Sequence, residues 1–398
     1  MSHPLTIVVV GIGGYGHHFM NALLDAPSHQ DVRIVGTVDP RPDGYERLDE
    51  LRARRIPHFD TLDDFYRAHT ADLAVISSPI QFHADQVCTA LSHGSHVLCE
   101  KPLCCTPADA DRMAAAQQAA GRHVAIGYQW SFSGAVQELK ADILAGRFGK
   151  PRRLRCLTLW PRDDKYYNRN RWAGATHDEQ GRPVFDSPVN NACAHHLHHL
   201  FYLLGDKANA SAAPTTLTAE LFRANAIANY DTAAIRCGTS AGADILFVTS
   251  HAVRSRLGPN YQLEFENAVV EYVDAPSAII KATFTSGSTI CYGSPDEPRD
   301  RKLWCTVAAI RKGEPALCPI GAAASHTRAV AMAQAAGIAD FPKRLIRTVG
   351  EPGSQFTVVQ GLDGALRRCY EQWSLPSELD FAWASRPSVK QRLTKVTA

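Results

Sequence analysis

The order of residues 5 to 39 constrains this chain most. Leu5–Val10 is a short, nearly all-apolar run that breaks into Gly11-Ile12-Gly13-Gly14-Tyr15-Gly16. A helical pattern follows through Leu24, and a second apolar run, Val32–Val38, ends on Asp39. Strand, glycine turn, helix, strand, acid: each part has a mechanical reason. Gly11 lets the chain turn sharply off the strand, and Gly13 removes a side chain that would hold a pyrophosphate away from the backbone and helix N-terminus. Gly16 lets the helix press close to the sheet. Asp39 follows the glycines by roughly 20 residues, where an acid hydrogen-bonds a ribose diol. The glycine pattern alone is weak evidence. Flanked by both strands, the helix and the acid, it predicts a dinucleotide site.

At 398 residues the chain is long for one core, so two domains are expected, residues 1–128 and 129–398. A formal charge of +2 gives no electrostatic case for nucleic acid or an anionic membrane as partner. The basic clusters at 52–55 and 150–153 read as solvated surface. Met1–Pro4 runs straight into the first strand without a charged leader or cleavage pattern. No apolar run approaches the roughly 20 residues that span a bilayer. Eleven cysteines without a C-x-x-C pair fit reduced, mostly buried thiols. A cytoplasmic protein is expected.

Strand and helix patterns alternate through the first third: helices over 45–55, 62–69, 81–93 and 107–120, strands over 73–77, 96–99 and 123–127. Apolar strands alternating with helices argue a parallel sheet covered on both faces. Ligands bind beyond the carboxyl ends of such strands, where Gly11, Asp39, Ser77, Pro79 and Lys101 all fall. A connecting helix is predicted over 131–145. From Leu154 onward the texture changes to short alternating runs, 217–222, 245–251, 262–266, 269–273, 279–284 and 289–292, which suit a mostly antiparallel sheet. Helices are expected at 191–204, 323–336 and 356–373. The fold class is therefore α/β: an N-terminal doubly wound domain, then an α/β domain with a large, mostly antiparallel sheet.

The glycine loop, Val38-Asp39-Pro40, Ser78-Pro79 with His83, and Cys99-Glu100-Lys101-Pro102 together resemble the Gfo/Idh/MocA oxidoreductase family. The likeness is densest over 5–130 and resumes at 186–205. It implies a tightly bound nicotinamide cofactor and hydride transfer at a carbon of a sugar, cyclitol or related polyol. It also implies a homodimer or homotetramer joined through the C-terminal sheet. The cofactor contacts it implies are Gly11, Gly13, Gly14, Tyr15, Gly16, Asp39, Ser77, Pro79, His83, Glu100 and Lys101. In the family the lysine works with an aspartate and a histidine four residues later on a central helix, often with a second acid three residues beyond. Counted back from Gly205, those positions hold Asn191, His195 and His198, so only the histidine matches. Spacings of i, i+4 and i+7 would put all three on one helical face.

Oxidising a secondary alcohol removes a hydride from the carbon and a proton from the hydroxyl, so a base must reach the oxygen. Lys101 is the main candidate. It acts either as that base or as a cation polarising the oxygen while His195 moves the proton; the competing assignment is a structural ion pair with Glu100. His195 is suited by the intrinsic range of imidazole. His195, His196, His198 and His199 invite a metal, but no carboxylate or thiol completes a zinc set at the usual spacing, so none is expected. A long loop carries Trp160, Arg162, Tyr166, Tyr167, Arg169 and Trp172. Aromatic faces stack on sugar C–H faces, and Arg162 and Arg169 suit an anionic substituent. Substrate contacts are therefore expected from Asn191, His198, Tyr167, Arg169, Trp172 and Arg162. Asp39 favours NAD, since an acid repels a 2′-phosphate, although the following Arg41 would tolerate NADP. The alternative activity is an NAD-dependent glycoside hydrolase that oxidises the sugar transiently, eliminates the aglycone, adds water and reduces the ring again.

Overall fold

The apolar runs of the first third become the strands of one parallel sheet. The computed structural model describes residues 3–27, 30–384 and 389–392. Its first six strands are β1 (Leu5–Val10), β2 (Val32–Val38), β3 (His58–Phe59), β4 (Leu73–Ile76), β5 (His96–Cys99) and β6 (Val124–Ile126). They pair in the order β3-β2-β1-β4-β5-β6, every neighbour parallel. The strand order reverses beside β1, between β1 and β4, which opens the crevice where doubly wound sheets bind ligands. Ile7, Val8 and Val9 are fully buried, as a sheet covered on both faces requires. Thr61 and Thr106 cap the helices Leu62–Ala68 and Pro107–Ala120 by accepting from Asp64 N and Asp109 N.

The chain divides into two compact units, and the division is not contiguous. The first unit is Met1–Phe132 with Glu297–Ala324; the second is Ser133–Asp296 with Ser325–Ala398. The return of 297–324 was not anticipated, because its helix, Arg301–Lys312, was not read from the sequence.

The second unit is built on β7 (Pro151–Leu159), β8 (Pro214–Arg223), β9 (Thr232–Thr239), β10 (Asp244–Ser250), β11 (Leu257–Phe265), β12 (Ala268–Tyr272), β13 (Ile280–Phe284), β14 (Thr289–Gly293) and β15 (Ile338–Asp340). They lie in the order β14-β13-β12-β11-β7-β10-β9-β8-β15, antiparallel except β7–β10 and β8–β15. A separate ribbon pairs β16 (Ile346–Val349) with β17 (Phe356–Val359), and β18 (Val389–Arg392) adds to β8. β9 was missed because Thr232 through Ile235 are all buried, which erases the period-2 signal.

Two helix boundaries need correction. The helix expected from 356 starts at Leu362: the β-branched run Thr357-Val358-Val359 pairs as a strand, and Gly361 at φ +78° separates the two. The helix expected from 191 starts at Ala194, because Ser187 to Cys193 are held in turns by bonds such as Asn191 N to Ser187 O. Asn191 therefore lies before the helix and not on a face shared with His195 and His198.

One face of the β7–β10 region is covered by the chain's own C-terminal segment. Leu157, Phe222, Leu246 and Val248 pack against Val359, Leu362, Leu366 and Cys369. Arg155 ties the helix Leu362–Gln372 down through the carbonyls of Tyr370 and Glu371. Toward the far edge the solvent face turns polar, with Glu271, Lys281 and Thr283 exposed. No described helix is long and apolar enough to cross a membrane.

Candidate active site

In the first unit the glycine turn closes on β4 and on its own helix. Gly11 adopts φ +77°, and a Cβ there would lie 2.9 Å from the backbone of Ser77 and Ser78. A Cβ on Gly16 would lie 1.7 Å from the Gly11 carbonyl oxygen, so no side chain fits. Gly13 and Gly14 differ: a Cβ would meet only Asp39 Oδ2 at 3.9 Å, or nothing. That open flank faces the start of the helix Gly16–Leu24, where Tyr15 gives no side-chain cap. The Gly14 and Tyr15 N–H groups have no recorded acceptor among the described residues, and N–H groups beside open space are what a pyrophosphate needs. At the end of β4 the buried Ser77 hydroxyl has no hydrogen-bond partner among the described residues. The residues present fit a dinucleotide.

Asp39 accepts from Ile12 N at 3.0 Å, Gly13 N at 3.3 Å and Arg41 N at 2.9 Å. Those bonds use three of a carboxylate's roughly four acceptor positions, leaving one on Oδ1 for a ribose hydroxyl. His83 is 1% exposed, with Nδ1 2.9 Å from Pro102 O and Nε2 2.9 Å from Ser78 O. Both ring nitrogens face backbone carbonyls, which ties the Ser78-Pro79 turn to Pro102. Burial pushes its pKa down against the opposing pull of those carbonyls.

Glu100 is held in a buried ion pair. Its carboxylate is paired with Lys302, and both side chains are buried, 7% and 1% exposed. Glu100 Oε2 accepts from Lys101 N at 3.2 Å. Lys302 donates to the Tyr15 hydroxyl at 3.2 Å and lies 4.5 Å from the centre of the Tyr15 ring. A Cβ at Gly127 would be 2.8 Å from Glu100 Oε1, so the glycine makes room for this pair. Lys302 thus joins the glycine loop to the strand end that carries Lys101. The sequence offered an ion pair with Glu100 only as the competing role for Lys101; the recorded partner of Glu100 is Lys302, 202 residues away.

In the second unit the aromatic loop folds into alternating cations and rings. Arg256 lies over Trp160 at 4.6 Å, and Arg162 over Tyr166 at 4.8 Å. Arg169 lies over Tyr166 at 3.9 Å and over Trp172 at 5.2 Å. Asp186, 3% exposed, is the hub beneath them: it accepts from Arg169 at 3.1 and 3.2 Å, from Gly174 N at 2.6 Å and from Asn191 Nδ2 at 2.7 Å. Asn191 lacks a carboxylate but is hydrogen-bonded to one, which sequence reasoning missed. Tyr167 Oη lies 3.2 Å from His251 Nδ1.

On the helix Ala194–Leu203, His195 is the one histidine of its four that is only half-buried. His196 faces Trp160 edge-on, His198 lies 5.6 Å from Tyr202 and His199 lies 5.1 Å from Tyr261. Burial lowers His198 well below its ordinary range and His199 to about 3. With His198 only 1% exposed, its ring serves the interior of this unit. Among the described residues no group of three or more His, Cys, Asp or Glu side chains could hold a metal ion.

Residues 5–128 match the model of the Gfo/Idh/MocA oxidoreductase family, NAD-binding Rossmann fold. The likeness to that family thus covers the Rossmann part of the first unit. A 1-carboxy-3-chloro-3,4-dihydroxycyclohexa-1,5-diene dehydrogenase of Comamonas testosteroni is 31% identical over 143 residues, 36% of this chain and 36% of that protein. An inositol 2-dehydrogenase of Pseudomonas fluorescens is 27% identical over 206 residues, 51% and 55% of the two chains. The matched stretch thus spans between a third and just over half of these curated relatives. In fold, the WlbA dehydrogenase of Bordetella pertussis, solved with NADH and UDP-GlcNAcA, matches with a TM-score of 0.67. It is 18% identical, over 84% of this chain and 97% of that one. The matched stretch carries the glycine loop, Asp39, Ser77, Pro79 and the Glu100-Lys101-Pro102 turn together on the carboxyl side of the parallel sheet.

Proposed function

We propose that this protein is an NAD-dependent dehydrogenase that transfers a hydride between the cofactor and a hydroxyl-bearing carbon of a sugar, sugar derivative or cyclitol. The observation that carries the reading is the first unit's crevice. There the open flank of Gly13 and Gly14, the Asp39 carboxylate and the unpartnered Ser77 hydroxyl lie at strand ends beside Lys101. The nicotinamide supplies the hydride acceptor when bound. Gly11, Gly13, Gly14 and Ser77 would hold it, and Asp39, at a ribose, favours NAD over NADP. Lys101 and His195 are the proposed groups for the hydroxyl proton, and the ring-and-guanidinium loop is the proposed sugar platform. Relatives named for inositol and for a dihydroxylated ring acid support a cyclic polyol as the substrate class. Association of copies through the second unit's sheet, by analogy with the family, would have to use a surface other than the face sealed by residues 338–384.

Mass spectrometry of small molecules released from the purified protein, followed by NADH absorbance across a panel of sugars and cyclitols, tests the reading. Turnover that falls at least a hundredfold in Lys101→Ala or His195→Ala supports it. Normal turnover in both variants overturns the site assignment. Aglycone release from glycosides without net NADH would instead favour the oxidoreductive glycosidase.

A further inference from the structure

Arg162 makes no ion pair among the described residues and, unlike Lys140 and Arg155, has no backbone carbonyl recorded in place of one. The Arg162 guanidinium lies between the rings of Trp160 and Tyr166, and its Nε is buried with no acceptor. Acids nearby in the loop and strands are already engaged. Asp163 accepts from Tyr166 N and Ser354 Oγ. Asp186 is taken by Arg169, Gly174 and Asn191. Asp231 accepts from Ala224 N, Asn225 and Thr232. Among the described residues no ion pair reaches Arg162.

Next to it is His251, 1% exposed. Its carbonyl accepts from Arg162 N at 3.3 Å, and its ring stands edge-on to Tyr166 with centroids 5.4 Å apart. Burial, reinforced by the charges of Arg162 and Arg169, keeps the ring neutral, so it has one N–H. We assign the ring proton to Nε2, the tautomer in which Nδ1 accepts from the Tyr167 hydroxyl 3.2 Å away; Nε2 is buried without a partner among the described residues. Two buried donors, one carrying a full positive charge, flank the same tyrosine ring. Leaving them unmade is costly, and an anion is the ligand that completes both.

We propose that Arg162 and His251 form a carboxylate-binding subsite, so that the hydroxylated substrate is an acid of the uronate type with its ring on the adjacent aromatic faces. A guanidinium edge and one imidazole N–H match the two oxygens of a carboxylate. This rests on the dehydrogenase reading only for the reaction, not for the binding.

The test is a titration of the full-length protein with D-glucuronate, D-galacturonate, D-glucose, D-galactose and inorganic phosphate. Thermal stabilisation and tryptophan fluorescence report binding, and NADH formation is followed in parallel. The expected result is binding of at least one uronate and of neither parent sugar. Arg162→Gln should weaken that uronate roughly ten- to a hundredfold. Arg162→Lys keeps the charge but loses the planar fork, and should retain an intermediate affinity. Equal binding of acid and parent sugar, a preference for phosphate, no binding of any uronate, or unchanged uronate affinity in a folded Arg162→Gln overturns the subsite. Uronate binding without NADH formation would keep the subsite and sink the dehydrogenase. NADH formation from neutral sugars with no uronate preference would do the reverse.

Discussion

At the residue scale, the Glu100–Lys302 pair decides most about the first unit. Breaking a buried pair leaves one charge uncompensated, while removing both partners need not cost anything. Lys302→Met alone should therefore lose about 3 kcal/mol or more in urea unfolding, and Glu100→Gln combined with Lys302→Met should recover most of it. NADH titration should show the single variant binding more weakly, since Lys302 also holds Tyr15 of the glycine loop. Buried imidazoles set the response to acid. His199 stays neutral in the fold down to about 3, whereas in the unfolded chain it takes up a proton below about 6.5. Unfolding thus binds protons within that window, so stability is complete above it and falls as pH drops through it. His198 and His251, also lowered by burial, add the same sign. Melting temperature should drop between neutral pH and pH of about 5, and His199→Gln should flatten the slope.

At the element scale, the glycine turn separates close packing from backbone conformation. Gly16→Ala drives a methyl into the Gly11 carbonyl, so NADH binding measured by fluorescence should be lost. Gly14→Ala meets nothing and bears only the strain of φ +50°, about 1 kcal/mol, so binding should weaken modestly. These elements were legible because their signals are local. Glycines at fixed offsets, Thr61 and Thr106 as caps and apolar runs of strand length need only neighbouring residues. The helix Arg301–Lys312 had local signals too: Gly313 ends it at φ +67°, and Lys302, Leu303, Thr306 and Val307 form its buried face. A lysine on that face reads as surface until its partner is known, and Glu100 lies too far along the chain for spacing to reveal it. Asp186 was obscured for a related reason. Its hydrogen bonds to Arg169 and Asn191 depend on a turn between 187 and 193 where a helix was expected.

At the scale of the whole molecule, the segment from 338 to 384 seals a sheet face that would otherwise be apolar. Ending the chain after residue 337 would bare Leu157, Phe222, Leu246 and Val248. A contiguous apolar patch of that kind drives association. Sedimentation of the truncated protein should show oligomers or aggregates beyond whatever state the intact chain adopts. An unchanged profile would mean the segment is dispensable. The return of 297–324 to the first unit carries a different lesson, about time. A ribosome delivers the glycine loop early and Lys302 only 287 residues after Tyr15. Until then Glu100 must wait, solvated or protonated, in a half-made nucleotide domain. The nascent protein cannot mature one domain after the other; its beginning is finished only near its end.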